Sequence, residues 1–244
     1  MNLKDLLNLK KGDVISIVGA GGKTTFMYSL AEELRGENKV LVTTTTKIYM
    51  PNKKYYDFIT INESNFNNYN YEKTNGIYLY GSYLNEENKI IGLDTELLEA
   101  QLPYFDYVLV EADGSKRKSI KGWKDDEPVI SQNTHKTIGI LSIDALGKKV
   151  NAENVHRLCE FKSITNSKEN EIVTEKHLTS LVLHNKGLFK DSKGEKVLFI
   201  NKVDGENELI LAKMLAANIL ENNHNYVDKI IIGSLKNKQY QLVV

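Results

Sequence analysis

The sequence has few of the residues that cross-link or interrupt a chain. Its 244 residues include one cysteine, Cys159, three prolines and one tryptophan. A single cysteine excludes an intramolecular disulfide and a thiolate-rich metal site, and we expect Cys159 to be a buried thiol. No stretch approaches the roughly 20 consecutive apolar residues that a membrane-spanning helix needs. We therefore expect a cytoplasmic protein with no membrane partner.

The sequence also has no excess of positive or negative charge. Lys plus Arg and Asp plus Glu each number 32, so the formal net charge is zero. A neutral chain has no global field that would attract nucleic acid, and we expect no such partner. The histidines show no H-E-x-x-H or similar spacing, which argues against a zinc site. A site for an anionic ligand must therefore depend on local clusters of charge.

Short runs rich in β-branched residues alternate with helical patterns along the chain. The runs cover residues 14–18, 40–43, 107–110, 137–141, 197–200 and 229–232. Apolar residues recur at helical spacing over residues 27–34 and 209–220. This alternation predicts an α/β fold, a doubly wound and mainly parallel sheet with helices on both faces. Ligands of such folds bind beyond the carboxyl ends of the strands.

We interpret residues 1–244 as a single P-loop NTPase-like domain. Two segments fit the alternation less well and are predicted insertions, near residues 55–95 and 144–195. Within the first, residues 77–80 and 89–92 suggest a hairpin or extra strands. Residues 62–73 are polar enough to be a loop.

A glycine-rich loop follows the first predicted strand and opens the first long helix. Its residues are Gly19, Ala20, Gly21, Gly22, Lys23, Thr24 and Thr25. Glycines let backbone N–H groups converge on an oxyanion, and the helix N-terminus adds partial positive charge. We predict that the loop binds the phosphates of ATP or GTP, that Lys23 contacts the terminal phosphates, and that Thr24 binds Mg²⁺. Ile17 stands where the longer G-x-x-x-x-G-K-[ST] loop has its first glycine, and the spacing resembles the loop of Mur-type amide ligases.

Acidic and basic residues follow the next two predicted strands. Glu111 ends the strand at residues 107–110, a position from which P-loop proteins bind Mg²⁺, and we predict it as a metal ligand. Asp113 is a candidate general base or second metal ligand. Residues 116–118, all basic, form either a solvated turn or a site for an acidic substrate. The threonines and lysine of residues 43–47 could contact phosphate, metal-bound water or a second substrate.

A four-residue motif follows the late strand at residues 197–200. Asn201, Lys202 and Asp204 match N-K-x-D, by which many GTPases recognise guanine. An Asp carboxylate accepts both the ring N1–H and the exocyclic amine of guanine, and adenine offers no such pair of donors. The alternative is a polar turn that caps the next helix. ATP and GTP both stay open, because this motif favours GTP and the short loop favours ATP.

Taken together, the motifs resemble the YqeC family of selenium-dependent hydroxylase accessory proteins. The matching motifs are VGAGGKTT at residues 18–25, TTTTKI at 43–48, VEADGSKRKSIKG at 110–122, EPVI at 127–130, DALGKKV at 144–150 and NKVD at 201–204. Two positions differ from the family pattern, Lys47 in place of histidine and Ser131 in place of proline. The resemblance implies a nucleotide-consuming role in the maturation or cofactor assembly of selenium-dependent molybdenum hydroxylases. It also implies a molybdenum hydroxylase or its cofactor as partner.

From these features we predict a Mg²⁺-dependent protein that binds and hydrolyses ATP or GTP. Lys23, Glu111 and Asp113 are the predicted catalytic residues. One alternative is a Mur-ligase-like, ATP-dependent enzyme that forms an acyl phosphate or an amide. Another is a chaperone without turnover, in which the nucleotide only orders a loop.

Overall fold

The computed structural model describes residues 1–62 and 74–244. Its strands are β1 Asp13–Gly19, β2 Lys39–Thr44, β3 Lys47–Tyr49, β4 Phe58–Ile61, β5 Gly76–Gly81, β6 Tyr83–Leu84, β7 Lys89–Ile91, β8 Tyr107–Glu111, β9 Ile120–Lys121, β10 Lys136–Ser142, β11 Val155–His156, β12 Glu195–Asn201, β13 Lys229–Ser234 and β14 Gln239–Leu242. Its α-helices are α1 Leu3–Leu6, α2 Lys23–Leu34, α3 Thr95–Gln101, α4 Leu158–Thr165, α5 Glu175–Leu183 and α6 Glu206–Glu221. Short 3-10 helices cover Lys53–Tyr55, Leu102–Tyr104 and Ile143–Ala145.

A nine-stranded sheet organises these elements, in the order β14-β13-β12-β10-β1-β8-β2-β5-β4. All neighbouring pairs in it are parallel except β13 and β14. The predicted mixed α/β fold with a large, mainly parallel sheet is thus confirmed, and all six predicted strands belong to the sheet. The carboxyl ends of β1, β2, β8 and β12 lie at one edge, where the sequence motifs begin.

Side-chain alternation in the central strand β1 explains how both faces of the sheet are covered. Ile15 and Ile17 pack in one cluster with buried residues of α1 and α2. Val18 points to the other face, into a cluster with buried residues of α4, α5 and α6. Strands buried on both faces appear in the sequence as continuous apolar runs, which is why β1 could be recognised.

The first of the two irregular segments divides between two sheets. Residues 76–81 form β5 and pair with β2 inside the large sheet. Strands β3, β6 and β7 form a separate three-stranded antiparallel sheet beside it. Residues 63–73 of the predicted polar loop lie outside the described residues. The second segment, 144–195, contributes α4, α5 and β11, which pairs with β9.

The lone cysteine corrects one expectation. Cys159 is exposed, so the prediction of a buried thiol is wrong. The reason is the orientation of α4, which buries Phe161, Ile164 and Thr165 and leaves Cys159 toward solvent. In the described ranges, the helices are too short or too polar to cross a lipid bilayer.

Candidate functional site

The glycine-rich loop connects the end of β1 to the start of α2, as its sequence context predicts. Gly19 and Gly22 have positive φ angles of 102° and 141°. A Cβ on Gly19 would lie 2.2 Å from the Ile140 carbonyl oxygen, and one on Gly22 would lie 2.2 Å from Asn201 Nδ2. Conformation and space therefore both require glycine at these two positions. The tight packing brings the loop against the ends of β10 and β12.

The remaining loop residues differ in exposure. Ala20 is buried, and its N–H donates to the Ile140 carbonyl at 3.0 Å. Thr25 lies in the first turn of α2, and its side chain is exposed toward a large cavity. Because Lys23 is the first residue of α2, the loop and the partial positive charge of the helix N-terminus face the same space.

Lys23 is buried between two carboxylates. Its Nζ donates to the Gly19 carbonyl oxygen at 2.8 Å and lies 3.2 Å from Asp113 Oδ1 and 3.6 Å from Glu111 Oε1. Burial lowers the pKa of Lys23, but the charges of Asp113 and Glu111 outweigh it and hold the pKa above its ordinary value. The ammonium group is therefore charged and stands at the centre of the site.

Thr24 and Glu111 form the pair that was predicted to bind metal. Thr24 Oγ1 donates to Glu111 Oε2 at 2.7 Å. Burial raises the pKa of Glu111, against the opposing effects of Lys23 and Thr24. Mg²⁺ is bound in such sites by one or two protein oxygens, by phosphate oxygens and by water, and these two oxygens fit neighbouring positions around it. The described part of the chain contains no group of three or more His, Cys, Asp or Glu side chains placed to hold a metal ion.

Asp113 is fully buried beneath the loop. Its Oδ2 accepts hydrogen bonds from Gly19 N–H at 3.0 Å, Lys121 Nζ at 3.0 Å and Trp123 Nε1 at 2.7 Å. Burial raises the pKa of this carboxyl, but Lys23 and Lys121 lower it by more, and the pKa lies below its usual range. A carboxylate with a lowered pKa and two ammonium partners is a poor proton acceptor. Its geometry fits a residue that holds the loop and Lys23 in place.

Sequence reasoning missed the residues that continue this network. Lys121 is completely buried, and its Nζ also contacts the Gly114 carbonyl oxygen at 2.7 Å and Glu127 Oε2 at 3.2 Å. The other carboxylate oxygen of Glu127 accepts a hydrogen bond from Arg157. Lys121 lies in the same motif as Glu111, so the motif itself was a signal, but nothing in it distinguishes a buried lysine from an exposed one.

The three N-K-x-D side chains make three different contacts. Asn201 Nδ2 donates to the Gly21 carbonyl oxygen at 2.9 Å, which connects β12 directly to the glycine-rich loop. Lys202 Nζ lies 2.7 Å from Asp144 Oδ2. Although burial raises the pKa of Asp144, its bonds with Lys202 and neighbouring groups lower it to about 2. Asp204 is exposed, and its Oδ1 accepts a hydrogen bond from Ser234 Oγ.

Ser234 was not predicted as part of the site. It ends β13, which lies next to β12, so its hydroxyl reaches the carboxylate of Asp204. The usable signal was positional, because polar residues at the carboxyl ends of neighbouring parallel strands meet at one edge of the sheet.

One cavity of about 1060 Å³ is lined by residues of the loop, by Glu111 and by the N-K-x-D residues. Because Asp204 follows β12, the loop follows β1 and Lys47 follows β2, the strand order puts Asp204 at one end of the cavity, the loop in the middle and Lys47 at the other end. The structure therefore brings the predicted loop, carboxylate and N-K-x-D residues to one space. Asp113 lies beneath this space, within the protein.

Comparison with known proteins shows similarity to one protein family and to one relative. The profile of the family described as YqeC protein matches residues 15–159. An Escherichia coli (strain K12) protein, "Uncharacterized protein YqeC", is 33% identical over 217 residues, which cover 86% of this chain and 84% of that protein. No solved structure matches. The profile match includes the loop, Glu111 and the basic residues that follow it, and it ends before Asn201.

Proposed function

The chain belongs to the YqeC family, and from this premise and the geometry of its cavity we propose that it binds and hydrolyses GTP with Mg²⁺. One observation carries the proposal: the phosphate loop and an N-K-x-D motif line the same cavity and are hydrogen-bonded to each other through Asn201 and Gly21. In this proposal the domain is of the P-loop NTPase type.

The loop residues would bind the phosphates. Lys23 supplies a full positive charge and α2 supplies the partial charge of its N-terminus, and both favour a phosphate oxyanion. Thr24 and Glu111 would hold Mg²⁺, which when bound would neutralise charge on the terminal phosphates. Lys23 now contacts two carboxylates, so binding of a triphosphate would replace part of those contacts with phosphate oxygens.

The base would lie at the Asp204 end. Guanine presents two neighbouring donors, its ring N1–H and its exocyclic amine, and one carboxylate can accept both. The hydrogen bond from Ser234 fixes the carboxylate of Asp204, which reduces the entropy lost on binding. Adenine has an exocyclic amine but no neighbouring ring N–H, so it cannot supply this pair of donors, and the unmet acceptor is costly once water is excluded. This argument favours GTP over ATP.

Asp113 has a positioning role in this proposal, which revises its predicted role as a general base. Its carboxylate holds Lys23 and the Gly19 amide, and burial keeps it away from the attacking water. Glu111, in contrast, lines the cavity. Of the acidic residues predicted to be catalytic, it is therefore the one placed to contact metal-bound water.

The cellular role that we propose follows from the family resemblance. It is a GTP-dependent step in the maturation or cofactor assembly of selenium-dependent molybdenum hydroxylases, with a hydroxylase or its cofactor as partner. The Mur-ligase-like alternative predicts ATP binding and little hydrolysis without an acceptor. The chaperone alternative predicts GTP binding without turnover.

The test is calorimetric titration of the protein with GTP and ATP in the presence of Mg²⁺, followed by measurement of phosphate release. Asp204→Asn removes the charge that accepts the guanine donors and keeps the shape, and Asp126→Asn is a matched control at an exposed site. We expect GTP preference in the native protein and the control, and loss of that preference in Asp204→Asn. Equal binding of ATP and GTP by the native protein would overturn the guanine assignment. Failure to bind either nucleotide would overturn the phosphate-loop assignment.

A further inference from the structure

Basic side chains from three separate segments converge at the end of the cavity opposite Asp204. Lys47 begins β3, Lys89 begins β7, and Lys116 and Arg117 lie in the loop after β8. Tyr49 lies between two of them, with Lys89 Nζ 4.9 Å and Arg117 Cζ 4.1 Å from its ring centroid. We call these four cations the basic end. The fold creates this cluster from residues that are far apart in the sequence.

Three of these four cations form no close ion pair with a carboxylate in the part of the chain that the structure describes. Lys89 forms an ion pair with the exposed Glu87. Within residues 1–62 and 74–244, Lys47, Lys116 and Arg117 form no close ion pair, although the charges of Lys47 and Lys116 help to lower the pKa of Glu87. Like charges that are gathered in one place repel one another, and an anion bound among them removes this cost. A local excess of this kind in a chain of zero net charge indicates an anionic ligand.

The backbone and a neighbouring histidine support the same conclusion. Lys116 and Arg117 have consecutive positive φ angles of 49° and 62°, a strained conformation that clusters at ligand-binding sites. His156 lines the same cavity, and burial followed by the charges of surrounding cations lowers its pKa to about 4. The ring is therefore neutral at pH 7 and sits in a region of positive potential.

The strand order separates the basic end from the nucleotide. The N-K-x-D motif follows β12, the phosphate loop follows β1, Glu111 ends β8, and Lys47 lies just after β2. Neighbouring strands are about 4.8 Å apart, so β12 and β2 lie about 10 Å from β1 on opposite sides. A nucleotide with its base near Asp204 and its phosphates at the loop would point its terminal phosphate toward the basic end.

We propose that the basic end binds a second substrate that carries a phosphomonoester, next to the terminal phosphate of the nucleotide. A phosphomonoester has up to two negative charges and three oxygens, which match several cations from different directions, including the two-pronged guanidinium of Arg117. A single carboxylate would match fewer of them. The proposal adds a class of second substrate to the proposed function and rests on that function, because the bound nucleotide defines which end of the cavity stays free.

The test uses the protein loaded with a non-hydrolysable GTP analogue and Mg²⁺, titrated with phenyl phosphate by calorimetry, with benzoate as the carboxylate comparison. Lys47→Gln and Arg117→Gln remove exposed charges and preserve folding, and Lys213→Gln on α6 is the matched control. We expect saturable binding of phenyl phosphate, weakened about tenfold in each variant, because each charge-assisted contact is worth roughly that factor. The affinity for the GTP analogue should stay within about twofold in all variants, since these side chains lie beyond its terminal phosphate.

Each other outcome has a distinct meaning. Phenyl phosphate that binds only without nucleotide would show that the cations serve the nucleotide's own phosphates, and this would overturn the second site. Equal affinity for benzoate and phenyl phosphate would overturn the assignment of the basic end to a phosphomonoester. Unchanged affinity in Lys47→Gln and Arg117→Gln would also overturn the assignment. If the GTP analogue itself does not bind, the proposed function fails separately, and titration of the nucleotide-free variants still decides whether Lys47 and Arg117 bind phosphate.

Discussion

The two ends of the cavity are constructed in opposite ways. At the Asp204 end, which we call the base end because we propose that the nucleotide base binds there, Asn201 is hydrogen-bonded to the glycine-rich loop and Asp204 to Ser234, so neighbours fix both side chains. At the basic end, Lys47 and Arg117 are exposed, and the contact of Arg117 is with an aromatic ring instead of a carboxylate. A prearranged end can select one ligand by geometry. An end with unpaired charge attracts anions over a longer range and is more tolerant of their shape.

A buried network lies beneath the middle of the cavity, between the two ends. Lys23, Asp113 and Lys121 are each almost completely buried and are joined by ion pairs. Removing one partner of a buried ion pair leaves the other charge without compensation, so such groups are sensitive to substitution. Changes in this network should affect both ends, whereas changes at one end should leave the other intact.

The largest expected effect is that of Lys23→Ala, which removes the buried positive charge at the middle of the cavity. GTP hydrolysis should fall by roughly a thousandfold, because the positive charge that stabilises the transferring phosphoryl group is lost. Single-turnover phosphate release measures this loss, with circular dichroism to establish that the variant is folded. Near-native turnover in a folded variant would show that hydrolysis does not require Lys23.

Asp113→Asn should act mainly on folding. We expect a loss of about 3 kcal/mol in the free energy of unfolding, because Lys23 and Lys121 lose their shared counter-charge. Urea unfolding measures the difference, with Asp126→Asn as the exposed control. The folded pKa of Asp113 is lowered, so its stabilisation is present above the unfolded value of about 4 and is lost as pH falls through the folded pKa. Native and variant stabilities should therefore converge in acid, and a constant difference across that range would contradict the assignment.

Ser234→Ala tests whether the base end depends on its prearranged carboxylate. GTP affinity should fall about fivefold, since a hydrogen bond of this kind is worth roughly 1 kcal/mol. ATP affinity and phenyl phosphate affinity should not change, because neither ligand uses the orientation of Asp204. Calorimetry on the three ligands gives the comparison, and a uniform loss for all of them would indicate a general structural role of Ser234.

The smallest expected effect concerns His156 at the basic end. Its imidazole should titrate near pH 4 in the free protein, as burial and the surrounding cations require. Bound phenyl phosphate should raise that pKa by up to about one unit, because a nearby anion favours the imidazolium form. NMR titration measures both values, and loss of the signal in His156→Gln assigns it. A pKa that does not respond to the ligand would show that the anion binds away from His156.

Features that depend on local pattern were predictable from the sequence. Buried parallel strands are apolar runs, and residues 19–25 combine glycines, a lysine and a helix start in the order that a phosphate loop requires. The proximity of Thr24 and Glu111 was predictable too, because the ends of neighbouring parallel strands meet.

Features that depend on tertiary packing were not predictable. The sequence shows Asp113 as one acid among several, and only its complete burial against Lys121 and Trp123 indicates a structural role. The approach of Arg117 to Tyr49 depends on how the small antiparallel sheet lies against the loop after β8. Neither contact has a sequence period or spacing that would reveal it.

The exposed thiol of Cys159 has a practical use. Because the chain has one cysteine and it is accessible on α4, a maleimide dye can be attached there in the native sequence without prior mutagenesis. Cys159 is three residues after His156, which lines the cavity. An environment-sensitive fluorophore at this residue would report arrival of a ligand in real time and would allow association rates to be measured by stopped flow.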